Sequence, residues 1–124
     1  MSSEPVHSFF GTPLSEWIAL VPNELEVDAV GLWQIIPPLR KSFGLHGDAL
    51  ERAVRDVLNG LLARGARPVI GSSAQDGSWE KAIRYGSDPA TITNSVIAEW
   101  RMMKRDPDVG DLWFALPRFY DSPK

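Results

Sequence analysis

Apolar residues recur along the chain with helical spacing in some stretches and alternate in others, and the breaks between them fall mostly at proline and glycine. The sharpest stretch spans residues 49–64. At roughly 100° per residue, Leu50, Val54, Val57, Leu58, Leu61 and Leu62 share one broad face, with Arg52, Arg55, Asp56 and Asn59 opposite. Asp48 and Glu51 have the spacing of a capping box, in which each side chain serves the other residue's backbone N–H. The pattern predicts an amphipathic helix from about Ala49 to Arg64, capped by a left-handed Gly65 and barred from continuing by Pro68.

Upstream, Thr12-Pro13 pairs an N-cap with a proline at the first helical position, predicting a helix over Pro13 to Val21 that Pro22 ends. Val30, Leu32, Trp33, Ile35 and Ile36 predict a second helix over Val27 to Ile36, closed by Pro37-Pro38. A further helical turn over Leu39 to Phe43 stops at Gly44. Downstream, Arg67 to Gly71 is spelled as a strand, residues 71–78 as a polar Gly/Ser loop, and Trp79 to Tyr85 as a returning strand by its alternation, although so short a run also fits a helix. Asp88-Pro89 repeats the cap-plus-proline signature before a stripe of Ile92, Val96, Ile97, Trp100 and Met103, a helix that ends near Lys104 or Arg105. Asp106 to Gly110 is a turn, and Leu112 to Leu116 is an apolar strand terminated by Pro117.

With no repeat and no linker, residues 1–124 are expected to form a single domain, with residues 1–11 and 121–124 flexible. The order of elements, helices first, then a hairpin, then a helix and a strand, predicts an α+β fold, helix-rich with a small antiparallel sheet. Helices followed by a two-stranded wing make the winged helix the first choice of topology.

Composition narrows the chemistry. The chain contains no cysteine, which removes disulfides, thiolate nucleophiles and Cys-ligated metals and fits a reducing, cytoplasmic setting. Met1 to Gly11 lacks the basic and apolar regions of a signal peptide, and no apolar run is long enough to span a bilayer, so no membrane partner is expected. The net charge of −3 is small but uneven. Residues 1–39 hold five acids, including Glu24, Glu26 and Asp28, and no Lys or Arg, whereas residues 40–67 hold six bases against three acids.

Familiar catalytic patterns are absent from the sequence. His7 and His46 lack metal-ligand spacing, and residues 106–111 (DPDVGD) lack the spacing and closing Glu of a calcium loop, so a tight turn is the plainer reading. Ser72-Ser73 has neither a nucleophile elbow nor a paired base, and no phosphate-binding glycine motif occurs. Glu99 falls at the edge of the Ile92 to Trp100 stripe, where partial burial raises a carboxyl's pKa and makes it the candidate for acid–base work; the plainer reading is a carboxyl that pairs with an Arg or reaches water. Neither a cofactor nor a metal is expected, and the chain is not expected to be an enzyme.

Two binding chemistries are left. Five tryptophans are a surplus for a chain of 124 residues; Trp17, Trp33, Trp100 and Trp113 are expected to fill the core, while Trp79 and Tyr120 are candidates for an exposed contact surface. Together with Glu24, Glu26 and Asp28 they point to a non-enzymatic protein-binding domain of the intracellular inhibitor, immunity-type or adaptor kind, whose partner is another protein or a second copy of itself. The alternative is a winged-helix nucleic-acid binder with Arg52 and Arg55 on the helix and Lys81 and Arg84 beside the hairpin, a reading weakened by a sequence pI near 5.3.

Overall fold

The computed structural model describes residues 4–71 and 78–120. Residues 72–77, which include Ser72, Ser73 and the expected tip of the hairpin loop, and the tail 121–124 lie outside the described residues, as do residues 1–3.

Helix α1 (Leu14–Leu20) passes directly into a 3₁₀ segment (Val21–Glu26), because Pro22 sits at its first turn, where no N–H is needed. Strand β1 (Val30–Gly31) and a single 3₁₀ turn (Leu32–Gln34) lead to α2 (Ile36–Lys41). The helix expected over Val27 to Ile36 is therefore not formed. Val30, Leu32, Ile35 and Ile36 are all buried, and the backbone of Val30 and Gly31 finds partners on a strand at the far end of the chain instead of within a helix. Pro37 and Pro38 open α2 and do not close a helix, since the first helical turn has no use for their missing N–H groups.

Helix α3 (Gly47–Ala63) buries Leu50, Ala53, Val54, Val57, Leu58, Leu61 and Leu62, the stripe expected from the sequence. Gly65 follows it at φ +96°, the left-handed cap. The capping box does not form: His46 is the N-cap, no side chain caps it, and Glu51 instead accepts from Arg101 Nε at 2.6 Å. An ion pair to a neighbouring helix has displaced a local cap.

Strands β2 (Arg67–Gly71) and β3 (Trp79–Lys81) form the expected antiparallel hairpin, but the return is shorter than the alternation suggests. Past Lys81 the chain turns into a 3₁₀ segment (Ile83–Tyr85). Helix α4 (Pro89–Met102) starts as its sequence signals, with Asp88 accepting the Thr91 N–H at 3.0 Å. It lies along α3 through three polar contacts: Arg55 to Asn94 at 2.8 Å, Thr93 to Asn59 at 3.0 Å, and the Glu51–Arg101 pair. Strand β4 (Trp113–Ala115) and a short α5 (Pro117–Tyr120) complete the fold.

The architecture is a helix-rich α+β domain with a four-stranded antiparallel sheet in the order β1-β4-β2-β3. The last strand thus lies between the first two, so sheet closure waits for nearly the whole chain. Val30 and Phe114 turn inward to join the helices in the main core. Ala29, Val69 and Ala115 turn outward into a second cluster, against which Trp79, Trp113, Phe119 and Tyr120 pack.

Residues 4–11, expected to be loose, carry backbone hydrogen bonds: His7 N–H donates to Thr12 O and Ser8 N–H to Ser42 O, both at 2.8 Å. Residues 106–111 form the expected tight turn. Asp111 accepts from the Asp108 N–H at 2.8 Å and from Arg105 at 2.6 Å, and Asp106 pairs with Arg40. The hydrogen bond from Arg105, with lesser help from Asp108, holds the Asp111 carboxyl below its ordinary value of 3.8. A carboxyl lowered by folding contributes stability above its ordinary value and loses that contribution as the pH falls through the lowered one. Asp111→Asn is therefore expected to flatten the acid limb of an unfolding-versus-pH curve, with only a small effect at neutral pH because Arg105 is more than half exposed. Chemical denaturation at neutral and at acid pH checks this; an unchanged acid limb would count against it.

Candidate functional site

The site grows out of the outer face of the sheet. In antiparallel pairs, directly opposed residues share a face, so the register Gly31↔Trp113, Trp113↔Val69 and Val69↔Lys81 places these four side by side. Gly71↔Trp79 adds a tryptophan on the same face. The indole rings then touch in series, Trp33 to Trp113 with centroids 6.3 Å apart and Trp113 to Trp79 at 5.2 Å, both tilted off parallel as aromatic pairs prefer. Trp113 is held in place by its own Nε1–H, which donates to Val109 O at 3.0 Å. Gly31 makes the arrangement possible: a Cβ there would stand 2.7 Å from the Trp33 ring and 3.0 Å from the Trp113 ring.

Beside this ledge runs a cleft of about 600 Å³ between α1, the 3₁₀ segment that follows it and β1. Its volume falls within the roughly 300–1,000 Å³ of ordinary ligand sites. Trp17 and Trp113 line it together with Val21, Val30 and two carboxylates, Glu24 and Asp28. Local hydrogen bonds hold the backbone at Glu24 and the carboxylate of Asp28. Glu24 O accepts the N–H groups of Val27 and Asp28 at 3.0 Å, and Asp28 Oδ1 accepts from the Ala29 N–H at 2.7 Å. No Lys, Arg or His lines the cleft among the described residues.

The structure gathers all five expected interface residues around this face. Glu24 and Asp28 line the cleft, and Trp79 and Tyr120 pack against the outer cluster. Glu26 is exposed and tied to α5: Arg118 donates to its carbonyl and faces its carboxylate at 3.8 Å. Lys81 lies 5.9 Å from the centre of the Tyr120 ring, so α5 is fastened at both ends. Trp79 and Tyr120 are half-buried. Trp33, expected in the core, is instead 38% exposed, because the 3₁₀ turn that replaces the expected helix turns its ring outward onto Trp113. Sequence reasoning missed the parts played by Trp33, Trp113 and Arg118. The one local signal was Gly31, a glycine inside an otherwise apolar run, which often marks close approach of another group.

The basic residues considered for nucleic acid sit on different elements, Arg52 and Arg55 on α3, Lys81 on β3 and Arg84 in the 3₁₀ segment after it. Arg52 is exposed on α3. Arg55 reaches α4 through Asn94, and Arg84 pairs with Glu99 at 2.5 Å. Lys81 sits on β3 near Tyr120. Glu99 also accepts from the Tyr85 hydroxyl at 2.5 Å, and Arg84 donates to that hydroxyl. Burial, followed by the bond to Glu99, pushes the Tyr85 hydroxyl well above its ordinary value, so it stays protonated and pins the 3₁₀ segment to α4. Glu99 is thus the paired edge-of-core carboxylate of the plainer reading.

No protein family, curated protein sequence or solved structure matches the chain. What the face can do follows from its own chemistry: flat apolar rings beside a cleft bearing two carboxylates are suited to binding. Among the described residues no group of three or more His, Asp or Glu is placed to hold a metal ion, and no helix is long and apolar enough to cross a membrane.

Proposed function

We propose that this chain is a non-enzymatic protein-binding domain that docks a basic partner protein on the outer face of its sheet, as a cytoplasmic inhibitor, immunity-type or adaptor protein does. The observation that carries this reading is the juxtaposition of three contacting tryptophans with a cleft whose charged lining, among the described residues, consists of Glu24 and Asp28. Tryptophan supplies much of the binding energy at protein interfaces, and carboxylates of one sign steer a partner of the other. The test is affinity capture from a native lysate by the wild type and by the Glu24→Lys/Asp28→Lys double variant. The expected result is a basic protein retained by the wild type, released as ionic strength rises from about 0.05 to about 0.5 M, and lost from the variant. Light scattering tests self-association in parallel. A chain that stays monomeric and retains nothing overturns the proposal.

One observation favours a nucleic-acid reading: the order α1, β1, α2, α3, β2, β3 is that of a winged helix, with Arg52 on the third helix and Lys81 on the hairpin. Against it, α4 lies along α3 and engages Arg55 and Asn59. A gel shift with generic duplex DNA at about 50 mM salt separates the two readings, because phosphate-led binding is strong there and weakens steeply with salt.

A further inference from the structure

We propose that the cleft takes the guanidinium of an arginine side chain presented on the partner's surface, an inference that rests on the protein-binding reading and names its contact. The lining supplies each part that an arginine needs. Glu24 and Asp28 have no ion-pair partner among the described residues, and the Asp28 bond to the Ala29 N–H is made by Oδ1. A planar guanidinium with several forked donors meets two carboxylates better than a compact ammonium does, and it stacks on indole faces such as those of Trp17 and Trp113. Val21 and Val30 give the aliphatic stem an apolar floor. Because a backbone N–H already holds the Asp28 carboxylate, that acid needs little ordering when the guest arrives.

The same geometry disfavours the other common way of binding a chain beside a sheet edge. Strand addition needs free backbone donors on the edge strand. On β1 the Gly31 N–H is already taken by Gln34 Oε1 at 2.9 Å. The guest is therefore held by its side chain, not by its backbone.

The test uses three synthetic peptides of one neutral, extended sequence that differ at a single central position: arginine, lysine, or citrulline, which keeps the shape of arginine without its charge. Binding is read from intrinsic tryptophan fluorescence and amide shifts, in the full chain and in the Glu24→Gln/Asp28→Asn variant. That variant keeps the Asp28 side-chain oxygen that accepts from Ala29, and both positions are exposed, so the fold is retained. The arginine peptide is expected to bind at or below about 1 mM, with at least about a tenfold loss for citrulline and for the variant, and lysine in between. Equal binding of the arginine and citrulline peptides, an unaffected variant, or no binding of the arginine peptide at about 1 mM overturns the inference. Failure of the wider reading is distinguishable. A lysate protein retained equally by the wild type and the Gln/Asn variant leaves protein binding standing and removes the cleft. An arginine peptide that binds while the lysate yields nothing upholds the cleft and overturns the wider reading.

Discussion

Phe114→Ala is expected to lower the unfolding free energy by about 3–5 kcal/mol, a large share of the roughly 5–15 kcal/mol that holds a domain of this kind together. Phe114 is fully buried in the strand between β1 and β2, directly opposite Val30 on one side and Pro68 on the other. Truncation leaves a cavity between the helices and a sheet whose neighbouring strands are tied to each other through β4 itself, so the walls have little freedom to collapse. At roughly 3–6 °C per kcal/mol for a chain of this length, the melting temperature falls by about 9–30 °C. Phe114→Leu keeps most of the volume and is expected to lose less than half as much. Thermal and urea unfolding followed by circular dichroism measure both. A loss below about 1 kcal/mol for the alanine variant would mean that the sheet repacks around β4 and leaves no cavity.

What the sequence disclosed depended on whether the deciding contacts were local. α3 was legible because its apolar stripe lies within one stretch of chain, and α4 because Asp88 and Pro89 state its first turn. The hairpin strand Arg67–Gly71 was legible because its flanking glycines and neighbouring helix cap leave it no other form. β1 was not legible. It consists of Val30 and Gly31 inside a run with helical spacing, and it becomes a strand only because Phe114 and Trp113 arrive beside it from the other end of the chain. The capping box failed for a related reason: Glu51 had a local partner in principle and a better one, Arg101, in another helix.

The candidate site divides along the same line. Glu24, Glu26 and Asp28 stood out as a run of charge, and Trp79 and Tyr120 as aromatics at the ends of elements, all from sequence. That Glu24 and Asp28 share a cleft with Trp17 and Trp113, and that Trp33 turns outward onto Trp113, follows from sheet register and could not be read locally. On the basic side, composition overstated what is available. Arg55 and Arg84 each count as a positive charge in the sequence, but each is engaged with a side chain of α4.

Gly31→Val is expected to separate the tryptophan ledge from the rest of the fold. The backbone at Gly31 is extended, with φ −93° and ψ 150°, so any residue fits it and the cost is entirely steric. A Cβ alone meets the Trp33 ring at 2.7 Å, and that ring, 38% exposed, can swing into solvent. It also meets Trp113 at 3.0 Å, and that ring is fixed by Val109 and by its contact with Trp79. Gly31→Ala therefore displaces Trp33 and leaves Trp113 close to its place. The two further methyl groups of valine press on Trp113 itself, an overpacking that costs about 1–3 kcal/mol. Near-ultraviolet circular dichroism reports the loss of ring contacts in both variants, and urea unfolding gives the two energies. Because Trp113 lines the cleft and Trp33 does not, binding of the arginine peptide is expected to survive Gly31→Ala and to weaken in Gly31→Val. Equal binding by the two variants would take Trp113 out of the contact and leave the carboxylates to hold the guest alone.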